Sequence, residues 1–254
     1  MSSAYLLVSH GSRDPRPEIA MQQLAGLVVQ KLQKNLPELI PANGGVVSSP
    51  KQKILVGIAS LEMGAEALHE QIKQFAQRAL VSGCDRLKIV PLFLLPGVHV
   101  ITDIPSEIAL AQQALGEDIM IDLQPYLGSH PGLEKLLAKQ MATIKAEAWI
   151  ILAHGSRRPD SQKLVEAIAA NLGAVTAYWS VPPSLESQVE ELVAAGNREI
   201  AIFPYFLFAG GITDAIAQAI EELKLRFPAV TFQLAQPLGV SAELADLILD
   251  LIYQ

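Results

Sequence analysis

Three side chains in the first half of the sequence are of types that hold a metal ion or move a proton: His10, Glu62 and His99. His10 begins the His-Gly-Ser-Arg turn of VSHGSRDP, directly after the apolar run Tyr5–Val8. Glu62 closes VGIASLE after the run Ile54–Ile58, and His99 lies in FLLPGVHVITDIP after Leu87–Phe93. Each follows a strand-like run, and in parallel α/β sheets ligands bind beyond the carboxyl ends of the strands. Two imidazoles and a carboxylate suit a borderline divalent ion such as Fe2+, Co2+, Ni2+ or Zn2+. A neutral imidazole is also a base near neutral pH. Scattered ligands are a weak metal signal, because no HExxH, paired CxxC or short ligand spacing accompanies them. A plainer role for His10 is a hydrogen bond to the backbone of a tight turn. GxGxxG, GxxxxGK[ST] and a GxSxG elbow are absent, so dinucleotide, P-loop and α/β-hydrolase chemistry lose their main support.

The elements that position these residues are written twice. LAHGSRRP at 152–159 echoes VSHGSRDP, which puts His154 144 residues after His10. Pro91-Leu-Phe-Leu-Leu95 matches Pro204-Tyr-Phe-Leu-Phe208, and Ile101-Thr-Asp-Ile104 matches Ile212-Thr-Asp-Ala215. Further short apolar runs fall at Ile119–Leu123, Trp149–Ala153, Ala174–Tyr178, Ile200–Phe206 and Val230–Leu234. Their continuous hydrophobicity is that of strands buried on both faces. Between them Leu68, Ile72, Phe75, Ala76 and Ala79 recur at helical spacing, as do Leu133, Leu136, Leu137 and Met141, and Leu185, Val189, Leu192 and Val193. The pattern predicts two copies of a four-strand βα unit, 1–146 and 147–254, each a parallel sheet flanked by helices.

The copies are unequal. The first carries an extra stretch around Lys34–Lys53, rich in Pro, Gly, Ser and Lys, which reads as an exposed, mobile loop. Counted from Leu68 and Leu185, Glu62 falls opposite Trp179, and counted from the shared Thr-Asp, His99 falls opposite Gly210. The second copy then keeps only His154, which points to one working site built mostly from the first. Of the remaining histidines, His69 reads as a solvated helix residue, and His130 could either cap a helix or serve the site.

Composition narrows the partners. Half of the 254 residues are hydrophobic, enough for a large core, and the net charge of −7 disfavours nucleic acid and anionic membrane. The single cysteine, Cys84, excludes an internal disulfide or a multi-cysteine metal site and fits a reducing compartment. The opening MSSAYLLVSHGSRDP lacks the basic and apolar regions of a signal peptide, so a cytoplasmic location is expected.

Taken together, LLVSHGSRDP, SLE and VPLFLLPGVHVITDIP, with ILAHGSRRPDS and FPYFLFAGGITDAI in the second half, resemble the sirohydrochlorin chelatases in their long, two-domain form. These are class II, ATP-independent tetrapyrrole chelatases. The resemblance spans nearly the whole chain outside Lys34–Lys53. It implies two tandem Rossmann-like lobes with a cleft between them, and insertion of Fe2+ or Co2+ into sirohydrochlorin for sirohaem or cobalamin. The resemblance implies His10 as proton acceptor and metal ligand, His99 as the second metal ligand, and Glu62 as a substrate contact. Leu94, Leu95, Pro96, Gly97, Val98 and His99 would line the macrocycle. Beyond the substrate metal no cofactor is expected, and the internal duplication suggests a monomer.

Metallation removes two pyrrole N–H protons, and His10, helped by Glu62, would take them. The eight carboxylates of sirohydrochlorin sit uneasily with an acidic protein. Ser12 and the arginines Arg13, Arg16, Arg157 and Arg158 of the two turns are the local answer, since guanidinium suits bidentate carboxylate contact. Two other readings exist: a tetrapyrrole or metal carrier without turnover, and a phosphate-handling histidine enzyme. Ser9, where the latter needs an arginine before His-Gly, argues against it.

Overall fold

The computed structural model describes residues 2–35, 54–156 and 159–253. Most of the Lys34–Lys53 stretch, with Arg157 and Arg158, lies outside them. The first copy runs β1 (Ser3–Ser9), α1 (Pro15–Lys34), β2 (Leu55–Ser60), α2 (Leu68–Val81), β3 (Arg86–Pro91), α3 (Ile104–Leu115), β4 (Met120–Leu123) and α4 (Gly132–Met141). The second runs β5 (Ala148–Ala153), α5 (Pro159–Asn171), β6 (Val175–Tyr178), α6 (Leu185–Ala194), β7 (Glu199–Pro204), α7 (Gly211–Arg226), β8 (Thr231–Leu234) and α8 (Ala242–Tyr253). The eight apolar runs are the eight strands among the described residues. They form two parallel four-stranded sheets, ordered β2-β1-β3-β4 and β6-β5-β7-β8.

Burial explains why the central strands read as continuous apolar runs. In β1, Ala4, Leu6 and Val8 point to a cluster formed with α2 and α3, whereas Leu7 points the other way. In β5, Ile150 and Leu152 face α6 and α7, and Ile151 and Ala153 face the opposite side. Those opposite sides meet in one large cluster. It joins Leu7 and Val90 of the first sheet to Ile151 and Phe203 of the second through α1, α4, α5 and α8. The lobes therefore share a helical layer and its core.

α8 shows how deep this sharing goes. Although it ends the second copy, it packs against α1, α4 and β3 of the first. Leu244, Ala245, Ile248, Leu251 and Ile252 supply its buried face, and Lys88 of β3 donates to the Ile252 carbonyl at its end. Exposed pairs Lys31–Asp246 and Lys139–Glu243 flank the contact, and such pairs add little beside the apolar burial. His130 belongs here too. Its Nδ1 accepts from the Gly132 N–H at 2.9 Å, so Nε2 carries the proton and faces Asp250 of α8 at 3.5 Å. Of the two roles open to His130, the structural one is the role it has. His69 is likewise not simply solvated: it is half-buried and bridges α2 to α3 through Glu107, with Nδ1 2.8 Å from the carboxylate.

We predict that Ile248→Ala, at a fully buried position of this shared layer, lowers unfolding free energy by about 2–5 kcal/mol. Chemical denaturation monitored separately in each lobe should show both weakened together, whereas loss confined to 148–253 would contradict the packing described.

Candidate functional site at the lobe interface

In each sheet the strand order reverses at the central pair, β1/β3 and β5/β7, and there the loops leaving neighbouring strands diverge to opposite faces. Such a switch point leaves a crevice beyond the strand ends. The two crevices open onto one cavity of about 660 Å3. Its first wall is Ser9–Ser12 after β1 and Leu92–Leu95 with Gly97–His99 after β3. Its second wall is His154–Ser156 after β5 and Tyr205–Phe208 with Gly210–Thr213 after β7.

The first wall gathers the expected residues. Backbone bonds from Leu61 N–H to the Ser9 carbonyl and from Glu62 N–H to the His10 carbonyl, both 2.9 Å, continue the β1–β2 ladder past the strands. That continuation sets Glu62 beside His10, with Oε2 3.9 Å from Nε2. Only glycine fits next to it. Gly11 has φ +95°, and a Cβ there would stand 1.9 Å from the Glu62 carbonyl oxygen. Gly128, in turn, makes room for the Leu94 carbonyl, 2.0 Å from where its Cβ would be.

His99 begins a π-helical turn, His99–Asp103, that leads directly into α3. The first copy holds two more residues between Leu95 and Ile101 than the second holds between Phe208 and Ile212, and π turns occur mostly as single turns of this kind, frequently at functional sites. In the second lobe α7 starts at Gly211 without one. His10 and His99 meet edge to face, ring centroids 4.8 Å apart, with Phe93 6.3 and 6.2 Å from them. The Nδ1 of His99 is 2.8 Å from Asp103 Oδ2.

One ligand atom each from His10, Glu62 and His99 lies within 4.8 Å of the others. Donors about 2.1 Å from an ion span at most about 4.2 Å. Only a linear pair reaches that span, and tetrahedral donors stand about 3.4 Å apart, so the trio must close by about 1 Å or more to share one ion. The arrangement supplies two nitrogen ligands and a carboxylate on the open side of a cavity, with positions left for other ligands.

Several expectations need correction or limits. Trp179 is not the counterpart of Glu62. Ser9 pairs with Ser60 and Ala153 with Tyr178, and it is Ser180 N–H that bonds the His154 carbonyl as Glu62 N–H bonds that of His10. The length change between the copies falls after the strand end, which shifts the match by one, and the second lobe still has no carboxylate there. Arg16 is not available as a substrate-facing rim residue. Its guanidinium grips Asp14 beside it and Asp214 of α7, with Nη1 3.0 Å from Asp214 Oδ1. These contacts hold Asp14 down at about 2, lower Asp214 and raise Arg16, so the arginine is a strut between lobes. Ser12 lines the cavity, but exposed Arg13 does not, nor does Pro96 alone of Leu94–His99. Glu62 flanks His10 from just outside the lining residues.

Four contributors escape a reading of the sequence: Phe93, Asp103, Asp214 and Tyr205. The signal was the repeat itself, since PLFLL/PYFLF and ITD/ITD carry all four. Tyr205 is buried, and burial pushes its phenol well above the ordinary range while its hydroxyl reaches the Leu94 carbonyl of the other lobe at 3.5 Å.

Comparison with known proteins follows the same lines. The profile of the CbiX family matches residues 4–144 and again 148–254. The chain belongs to the CbiX family. Among its relatives is the sirohydrochlorin ferrochelatase of Priestia megaterium, 26% identical over 96% of this chain and 87% of that protein. A sirohydrochlorin cobaltochelatase of the same organism is 22% identical over 70% of this chain, an alignment that spans 63% of the relative's length. Among solved structures, SirB from Bacillus subtilis with Fe3+ superposes with a TM-score of 0.74 at 23% identity, covering 100% of this chain and 95% of SirB. The two-lobed architecture is thus that of the CbiX family, as the sequence resemblance implied.

Two predictions follow from the geometry. Gly11→Ala should displace the Glu62 backbone and destabilise the fold by about 1–3 kcal/mol, measured by thermal unfolding. The Arg16 strut has a definite pH sense. Its carboxylates are depressed in the folded state, so its contribution is complete at neutral pH and fades as pH falls through the folded values. The stability gap between wild type and Asp214→Asn should therefore stay level at neutral pH and close below about pH 4.

Proposed function

We propose that this chain is an ATP-independent sirohydrochlorin chelatase, with residues 1–146 carrying the catalytic side chains and 147–254 supplying the facing wall. The observation that carries the reading is the convergence of His10, Glu62 and His99, with both imidazoles lining the inter-lobe cavity and Glu62 just outside the lining. Family membership and the activities of the named relatives support it. The substrates are sirohydrochlorin and one divalent ion, Fe2+ or Co2+.

Balanced, the reaction exchanges two pyrrole N–H protons for M2+ in the four ring nitrogens, releasing two protons and the ion's previous ligands. His10 and His99 bind the incoming ion as neutral imidazoles and present it to the macrocycle. As the ring nitrogens displace them, His10 becomes free to accept a pyrrole proton, and Glu62, 3.9 Å away, stabilises the resulting imidazolium. Leu94, Leu95, Gly97 and Val98 face Tyr205–Phe208 across the cavity, and these apolar walls receive the ring. Among the described residues the walls hold no lysine or arginine. The substrate's carboxylates accordingly stay at the mouth, in water, where Ser12 and Arg13 of the first turn, and Arg157 by its place in the repeated sequence, are assigned to meet them. Because one chain provides both walls, the working unit is taken to be a monomer. No helix among the described residues is long and apolar enough to cross a membrane, and a cytoplasmic location remains part of this proposal.

The absorbance of sirohydrochlorin under anaerobic conditions, with Fe2+ or Co2+ added, tests the reading. Wild type should metallate well above the spontaneous rate, and His10→Ala should lower the rate by about 10²–10⁴-fold, while His154→Ala keeps most of it. Equal losses would place the site on both lobes. Tight binding of ion and tetrapyrrole with no acceleration would identify a carrier instead.

A further inference from the structure

The aspartate of the π turn has no place in the sequence reading, and its surroundings define one. Asp103 stands at the start of α3, where an aspartate ordinarily caps the helix, yet its side chain makes no capping hydrogen bond. Its backbone is helical, continuous with the π turn, so the carboxylate is turned away from the first N–H groups of α3. Instead Oδ2 lies 2.8 Å from Nδ1 of His99. The π turn closes through the Ile104 N–H bond to the His99 carbonyl and keeps the two side chains on one side.

We propose that Asp103 is a positioning residue that fixes the tautomer and ring orientation of His99. A carboxylate only accepts, so the imidazole proton sits on Nδ1 and the lone pair is confined to Nε2, the nitrogen left to bind an ion. The ring is thereby held edge to face against His10. Outer partners of this kind raise the basicity of a ligating histidine and remove the need to select a tautomer when metal arrives.

The second lobe provides an internal comparison. Asp214 occupies the equivalent place, but the residue opposite His99 is Gly210, and with no imidazole to hold the carboxylate binds Arg16. One inherited aspartate thus has two occupations, set by whether a histidine precedes it by four residues. The inference rests on His99 being a metal ligand, as in the proposed function, and needs no turnover.

Two measurements test it, both on the full-length protein without tetrapyrrole. In metal-free wild type, long-range 1H–15N NMR should report His99 protonated on Nδ1. Titration with Co2+ alone should show Asp103→Ala binding about 10–100-fold more weakly than wild type, with Asp103→Glu recovering part of the loss. A His99 protonated on Nε2 in wild type would overturn the proposal even if the alanine variant failed to fold. Wild-type affinity in a folded Asp103→Ala, or no Co2+ binding by wild type, would also overturn it. Should Co2+ binding and the tautomer be as expected while sirohydrochlorin is not metallated, the chelatase reading falls and the role of Asp103 stands.

Discussion

Apolar packing between the two copies is the constraint on which everything else in this protein depends. Both sheets bury one face against the same layer of helices, α1, α4, α5 and α8. That layer sets the separation of the β1/β3 and β5/β7 switch points, and hence the width of the cavity between them. Close-packed interiors resist deformation, so the cavity walls inherit their spacing from residues that never touch it, such as Leu24, Val28 and Ile248. Exposed ion pairs across the interface, such as Lys31–Asp246 and Arg16–Asp214, act as guides to alignment more than as sources of stability.

On this frame the two copies have diverged in chemistry while keeping the same backbone logic. The first holds an ordered polar cluster in which each imidazole has defined company: Glu62 beside His10, Asp103 behind His99, Phe93 near both. The second has Ser180 in place of Glu62 and Gly210 in place of His99, while Phe206, Leu207 and Phe208 keep the apolar places of Phe93, Leu94 and Leu95 on the wall. One wall able to hold an ion now faces one suited to a flat apolar surface. Under the proposed function, a site repeated on both walls would crowd a flat macrocycle with two sets of ligands, and the asymmetry would leave it a metal side and a packing side.

The strands were legible in the sequence because burial on both faces makes them apolar throughout, and His10, Glu62 and His99 were legible because they follow strand ends. What could not be read depended on contacts distant in the chain. Arg16 looks like a free rim cation until Asp214, 198 positions away, is seen to hold it. His130 could not be assigned without its neighbour Asp250, and nothing in the periodicity of α8 tells which lobe it covers. The one-residue error that paired Glu62 with Trp179 came from placing a gap by helix spacing, whereas ladder register locates it beyond the strand ends. Asp103 was hidden by its own position, since an aspartate at a helix start ordinarily needs no further explanation.

The lodging of α8 on the first lobe has a consequence for how the protein is made. Residues 3–141 emerge from the ribosome with β3 and α1 still uncovered on the side that α8 will occupy. The nascent first lobe carries its histidines and glutamate but lacks its final layer until residues 242–253 have been synthesised. Contacts of such sequence separation form late. Partial chains would then lack the layer that backs the wall, and His10, Glu62 and His99 reach their final arrangement only once residues 242–253 are in place.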